Sequence, residues 1–331
     1  MRILILGGTA FLSAEIARQA AAAGNDVTCL ARGTSGSAPD GVTWVRADRA
    51  AGATAYADVA GPWDAVVDVS RDPEQAKEAL EALGREAAHW TFVSSCSVYA
   101  EHSVPGAAED AAVLDPLPPG QAGTPETYGE SKSAIEQMTL DAVGTKAHIV
   151  RAGLIGGPGD SSDRYGYWPA RFASNTHPVL VPDIAESATQ IIDVRDLAAW
   201  LLEAAGQGLT GSFNALGDVV PFGEYLDESL RASGMAHQLV TVPEAWLVEH
   251  GVDYWAGPDS LPLWLPPGHE GFQSRSNEAA LAHGMVLRPW QHTLMDSLAD
   301  ERARGLERER KAGLSPDTER RLVALWRDAQ R

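Results

Sequence analysis

Tyr128-Gly129-Glu130-Ser131-Lys132 sets a phenol and an ammonium four residues apart. On a helix that spacing stacks the two side chains on one face. A nearby ammonium favours the ionised form of a phenol, whose ordinary pKa is about 10. A Tyr so placed can trade a proton with a substrate oxygen near neutral pH. A Tyr-x-x-x-Lys pair alone is equally well explained as a surface contact. Its weight rises because Ser94-Ser95-Cys96-Ser97-Val98-Tyr99 stands upstream at the end of a strand-like run.

A second constellation is Gly7-Gly8-Thr9-Ala10-Phe11-Leu12-Ser13, between an apolar run, Ile3–Leu6, and a helix pattern, Phe11–Ala23, that stops at Gly24. A dinucleotide fingerprint uses glycines for a tight turn, for close approach to a diphosphate and for helix–strand packing. The helix N-terminus then receives the diphosphate through its free N–H groups and its dipole. Gly7 keeps the turn position, while Ala10 and Ser13 replace the other two glycines. Both are small, so binding is expected, in weakened form. A plain strand–helix turn is the competing reading.

The apolar run at Val27–Ala31 ends in Arg32 rather than in an acid that could hold a ribose 2′-hydroxyl. An Arg there, with no carboxylate beside it, can pair with a 2′-phosphate, so NADP is expected in preference to NAD. Asp48, after a third strand pattern at Val42–Val45, could accept the adenine amino group. A solvated Arg and a plain loop Asp are the competing readings.

These residues need a scaffold. Further strand patterns lie at Ala65–Val69, Thr91–Ser94 and Ala147–Arg151, with helix patterns at Pro73–Ala88 and Tyr128–Ala142. Fully apolar strands separated by helices predict an α/β fold, a doubly wound parallel sheet of Rossmann type with both faces covered. After Ile155 the pattern changes to a Gly156-Gly157-Pro158-Gly159 loop, a strand entering a helix over Gln190–Ala204, and irregular Pro- and Trp-rich sequence over 215–295. The expected organisation is a dinucleotide-binding domain over 1–160, with 190–215 returning to it. A smaller substrate lobe spans 161–299, with Trp246, Trp255, Trp264 and Trp290, and a helical tail spans 300–331.

The chain has 331 residues, 44% of them apolar, 21% charged, and a net charge of −19. That charge argues against nucleic acid and anionic membrane as partners. No run reaches the length of a membrane helix. A strand pattern directly after Met1 leaves no room for a signal peptide, and two Cys suit a reducing compartment, so a cytoplasmic location is expected. Residues 300–331 hold nine Lys/Arg and seven Asp/Glu, which reads as a solvated helix with ion pairs. No His/Cys spacing suggests a metal, and Cys96 reads as a small buried residue rather than a nucleophile.

Taken in order, these pieces resemble the short-chain dehydrogenase/reductase superfamily over about residues 1–300. The long C-terminal half resembles its extended, epimerase/dehydratase-like branch. Arg151–Asp160 and Ile192–Leu197 also match. The altered glycines and the Asp163–Pro169 stretch resemble an atypical subgroup, whose members carry reductase, sugar-nucleotide and RNA-binding labels. The resemblance implies Ser95, Tyr128 and Lys132 as the catalytic set, with Lys132 also holding the nicotinamide ribose. It implies a cofactor bordered by Gly7, Thr9, Ala10, Phe11, Leu12, Val69, Ser70, Ser94, Ala152, Gly153 and Leu154. Dehydratases of this branch carry Asp-Glu after the catalytic Ser/Thr, where this chain has Cys96 and Ser97. Arg164, Tyr165, Tyr167, Trp168 and Arg171 are the candidate substrate contacts.

The function expected is an NADP-dependent oxidoreductase acting on a small organic carbonyl or alcohol. A sugar-nucleotide epimerase with retained cofactor is the first alternative, with Arg164, Arg171, Arg195 and Arg275 as cations for a diphosphate. A non-catalytic RNA- or ligand-binding protein on the same fold is the second. The extended branch also implies a homodimer.

Overall fold

The computed structural model describes residues 1–174 and 178–331. Its first part alternates strand and helix: β1 (Arg2–Leu6), α1 (Phe11–Ala22), β2 (Asp26–Leu30), β3 (Thr43–Val45), β4 (Trp63–Asp68), α2 (Pro73–Leu83), β5 (Ala87–Ser95), α3 (Tyr128–Val143) and β6 (Ala147–Ala152). The chain continues through β7 (Leu154–Gly156), α4 (Tyr167–Ala173), β8 (Val179–Pro182), β9 (Ala188–Asp193), α5 (Val194–Gln207) and β10 (Gly211–Ala215). Next come β11 (Val219–Pro221), α6 (Phe222–Ser233), β12 (Leu239–Val242), α7 (Glu244–Glu249), α8 (Glu278–Ala282), α9 (Trp290–Arg304) and α10 (Pro316–Ala329).

Seven strands form a parallel sheet in the order β10-β6-β5-β4-β1-β2-β3. This is the doubly wound Rossmann arrangement. The winding reverses between β1 and β4, and a crevice opens beyond the carboxyl ends of those two strands. The alternation along β1 explains why both faces are covered. Ile3 and Ile5 join Ile16 of α1 and Leu197 and Leu201 of α5, while Leu4 and Leu6 join Ala79 and Leu80 of α2 and Ile135 of α3. Ile3, Leu4 and Ile5 are wholly buried, so truncating one to Ala costs about 2–5 kcal/mol.

Helix α2 begins as expected, with Pro73 in its first turn and Asp72 accepting from the Glu74 and Gln75 amides. It ends at Leu83 rather than at Ala88. Ala87, His89 and Trp90 instead pair with β4, and Trp90 also pairs with β6, so sheet pairing overrides their helix propensity. Beyond β7 a second core gathers Trp168, Phe172, Phe222, Tyr225, Leu261 and Trp264. Strands β11, β9 and β7 form a small sheet beside it, and β12 pairs with β8.

The C-terminal segment differs from a solvated helix. Arg304, Arg308 and Arg310 all pair with Asp163 and Glu301, both of which are buried. Glu319 of α10 is buried against Arg171 and accepts from the Leu180 amide, and Leu322 and Val323 enter the second core. The mixed charge of this stretch thus serves long-range contacts as well as the expected pairs along a helix, such as Arg304 with Asp300 and Arg320 with Asp317. Among the described residues no helix is long and apolar enough to cross a membrane.

Candidate active site

Two glycines shape the crevice at β1. Gly7 and Gly8 have φ of 137° and 104°, a region L side chains rarely adopt. A Cβ on Gly8 would lie 2.3 Å from the Cys29 sulfur, so the backbone is pressed against β2. A Cβ on Gly7 would stand 3.2 Å from the Ser13 side chain. Ser13 is buried there, and its hydroxyl donates to the Ala10 carbonyl at 2.8 Å. The missing third glycine is therefore accommodated by a small side chain bonded back to its own turn. Ala10, exposed at the N-cap of α1, makes no side-chain cap, and the first amides of the helix face the crevice uncapped. The turn thus fits a dinucleotide diphosphate, with Thr9, Ala10 and Phe11 along its rim. Leu12 points into the core beneath α1, so only its backbone can serve this crevice.

Arg32 and Asp48 are both exposed at the far end of β2 and β3, 3.9 Å apart as an ion pair. Asp48 also accepts from the Ala50 amide. The expectation that no carboxylate stands near Arg32 is corrected by this pair. On the other side of the crevice, Val69 and Ser70 follow β4, and Ala152–Leu154 follow β6. A Cβ on Gly153 would meet the Leu216 side chain at 2.2 Å, so a larger residue there would require that side chain to shift.

Tyr128 is the first residue of α3 and Ser95 the last of β5. Gly129 brings them together: a Cβ on it would lie 2.3 Å from the Ser97 carbonyl, so only glycine lets α3 start this close to the turn after β5. The half-buried Tyr128 phenol is raised above its ordinary pKa by burial, against the opposing pull of Arg71, of a hydrogen bond from Ser95 and of Arg164. Ser95 Oγ also donates to Ser97 Oγ and accepts from the Ser97 amide, each at 3.1 Å.

Lys132 is buried, and its Nζ donates to the Ser70 carbonyl at 2.6 Å and the Val93 carbonyl at 2.7 Å. Burial brings its pKa down to about 7. The expected Tyr128 partner thus has its hydrogen bonds on these two carbonyls, while its Nζ stands 5.9 Å from the Tyr128 ring centre. Arg71 and Arg164 oppose the rise that burial imposes on the phenol. Arg71 was missed in the sequence, where a polar residue after a strand carries no signal of its own.

Other expected residues divide. The Ser94 hydroxyl is taken by Glu136 at 2.5 Å, and Glu136 in turn holds Arg151 at 2.9 Å, both buried. Ser94 therefore braces β5 against α3, and its side chain is not turned to the crevice. In the 164–171 cluster, Arg164 alone acts on Tyr128. Tyr165, Tyr167 and Trp168 are buried in the second core, with Tyr165 OH and Trp168 Nε1 donating to the Trp290 and Pro262 carbonyls. The Tyr167 hydroxyl accepts from the Leu314 amide, and Arg171 pairs with Glu319. Their aromatic character reflects packing, which sequence proximity to Arg164 disguised. Cys96 is wholly buried and its thiol pushed up to about 12. Among the described residues no group of His, Cys, Asp and Glu is placed to hold a metal ion.

Residues 65–215 match the model of the NAD dependent epimerase/dehydratase family. No curated protein matches the chain. Among solved structures, the UDP-glucose 4-epimerase of Thermus thermophilus in complex with NAD is similar at 18% identity and TM-score 0.63, over 91% of this chain and 99% of that one. The UDP-N-acetylglucosamine 4-epimerase of Bacillus cereus aligns at 15% identity and TM-score 0.65, over 90% of this chain and 98% of that one. The Bordetella bronchiseptica enzyme WbmH in complex with NAD+ aligns at 16% identity and TM-score 0.64, over 92% and 99%. The family match runs from β4 to β10, and the Rossmann-type fold that the chain shares with these structures extends on both sides of it.

Proposed function

We propose that the protein is an NADP-dependent oxidoreductase that interconverts a carbonyl and an alcohol on a small organic substrate, with Tyr128 as its acid and base. The observation that carries this reading is the Tyr128 phenol beside Ser95 at the carboxyl edge of β5. A bound nicotinamide supplies hydride exchange at the substrate carbon. Gly7, the uncapped start of α1, Val69, Ser70 and Ala152–Leu154 would hold the dinucleotide, and Arg32 would meet a 2′-phosphate.

The protein's own groups then have distinct roles. Burial keeps Tyr128 protonated at neutral pH, so it can donate its proton to an oxygen gaining charge. Ser95 gives that oxygen a second hydrogen bond when its hydroxyl turns away from Ser97. Lys132 fixes the ends of β4 and β5 on either side of the reacting position through its two carbonyl contacts. Cys96 and Ser97 offer neither the acid nor the base that dehydration requires.

A second reading, a sugar-nucleotide epimerase with retained dinucleotide, is favoured by the structural likeness to the two UDP-sugar epimerases. A homodimer and a cytoplasmic location stay with either reading as proposals. One assay separates the two: NADPH consumption against a panel of small aldehydes and ketones, alongside analysis of dinucleotide released on denaturation. Consumption with an added carbonyl supports the oxidoreductase. Stoichiometric dinucleotide released from protein that consumes none supports the epimerase. No consumption together with no released dinucleotide contradicts both.

A further inference from the structure

We propose that Arg46, stacked on the Trp44 indole, is a second cation for the 2′-phosphate of the dinucleotide, working beside Arg32. This deepens the reading above and rests on it for the place of the dinucleotide along the carboxyl ends of β1 and β2.

Strand register sets the two arginines side by side. Strands β2 and β3 run parallel with Leu30 opposite Val45, and the Ala31 amide donates to the Val45 carbonyl at 3.1 Å. Arg32 follows the end of β2, and Arg46 follows the end of β3. Trp44 ties these two ends together. Its Nε1 donates to the Ala31 carbonyl at 3.1 Å, and a Cβ on Gly33 would stand 2.5 Å from its ring. The indole thus lies against the residues on both sides of Arg32. Arg46 is exposed, and its Cζ lies 4.2 Å from the Trp44 ring centre, a stacked cation–π contact. A guanidinium held by its flat face keeps its in-plane N–H donors for another partner.

The same edge meets the diphosphate turn. Gly36 has a φ of 147°, and a Cβ on it would stand 3.0 Å from the Thr9 carbonyl. The segment after Arg32 is therefore folded back on the Gly7-Gly8-Thr9 turn, with Thr34, Ser35 and Ser37 exposed along it. A dinucleotide whose diphosphate sits at that turn carries its adenosine ribose toward the end of β2. The ribose 2′ position then comes to the edge that Arg32 and Arg46 share.

Charge decides what this edge takes. Asp48 stands 3.9 Å from Arg32 and answers part of its charge, whereas among the described residues Arg46 forms no ion pair. Adenine is neutral and brings no charge to a guanidinium. A 2′-phosphate brings about two negative charges and three acceptor oxygens, which suit a planar fork of N–H donors. A bare 2′-hydroxyl gains little from Arg46, so the residue separates NADP from NAD.

The test is calorimetric titration of the full-length protein with adenosine 2′,5′-bisphosphate and with adenosine 5′-monophosphate, two probes that differ only in the 2′-phosphate. The variants are Arg46→Gln, Arg46→Lys, Trp44→Leu and, as a control on exposed surface, Arg321→Gln. The wild type should bind the bisphosphate about a hundredfold more tightly, with about a tenfold share from each arginine. Arg46→Gln should remove its tenfold share and leave the monophosphate within about twofold. Arg46→Lys and Trp44→Leu should each lose about threefold, since one keeps the charge without the fork and the other keeps the fork without its support. Arg321→Gln should match the wild type. A preference unchanged in Arg46→Gln would overturn the role of Arg46. Equal weakening of both probes in that variant would also overturn it and hand Arg46 to the adenine. Equal binding of the two probes to the wild type would overturn the 2′-phosphate site and leave a dinucleotide of NAD type. Binding of neither probe would overturn the site together with the dinucleotide reading beneath it.

Discussion

Lys132 shares a helix face with Tyr128, yet its ammonium is committed to the carbonyls of Ser70 and Val93, with Nζ 5.9 Å from the Tyr128 ring centre. The lysine therefore acts on the ends of two strands before it acts on the phenol. Burial lowers its pKa to about 7, so near neutral pH it hovers between a charged and a neutral group. Arg71 and Arg164 pull against the rise that burial imposes on the Tyr128 phenol.

Replacing Tyr128 with Phe removes the exchanged proton and keeps the ring. Turnover should fall by about 10²–10⁴-fold, the usual weight of a positioned acid–base group. NADPH affinity should stay within about twofold, because the hydroxyl is not part of the diphosphate turn. Steady-state rates and a fluorescence titration on the same variant check both. Near-normal turnover would remove Tyr128 from the mechanism.

Stability should depend on pH through Lys132. Between its folded value of about 7 and its ordinary value of 10.5, the unfolded chain binds a proton that the folded chain does not. Folding is then favoured as pH rises, by up to about 1.4 kcal/mol per pH unit from this one group. Lys132→Met removes that dependence. Urea unfolding of cofactor-free protein at pH 7, 8 and 9 should show the wild type gaining on the variant at each step. A constant difference would mean that Lys132 stays charged in its buried setting.

Arg32→Ala should narrow the preference for NADPH over NADH by about tenfold, chiefly by weakening NADPH. Parallel titrations of both dinucleotides read the ratio. An unchanged ratio would leave Arg32 as the exposed partner of Asp48 and nothing more.

The Glu136–Arg151 pair is buried and also bonded to Ser94, with Arg151 passing on to Tyr99 OH at 3.1 Å. Glu136→Leu strands a buried guanidinium, and the expected loss is about 3–5 kcal/mol of unfolding free energy. Chemical denaturation measures it. A loss below about 1 kcal/mol would show that water reaches Arg151 in the variant.

The strand–helix alternation of the first 150 residues was legible because fully buried strands write themselves as apolar runs, as in Ile3–Leu6 and Ala65–Val67. Gly7, Ser95, Tyr128 and Lys132 were legible because their spacing is local. What escaped is long-range. Nothing near Asp163 shows that Arg304, Arg308 and Arg310 return to it across more than a hundred residues. The same distance hid the burial of Tyr167 against Leu314 and of Trp168 against Pro262. Arg71 looks like any polar residue after a strand until α3 sets Tyr128 beneath it.

The central claim is that the crevice between β1 and β4 holds a nicotinamide dinucleotide against Tyr128. Its most direct test is titration of the purified protein with NADPH and NADH in parallel, read as energy transfer from Trp to bound nicotinamide. Saturable binding in the micromolar range, tighter for NADPH than for NADH, is the expected result. Binding of neither, with no dinucleotide released on denaturation, would contradict it.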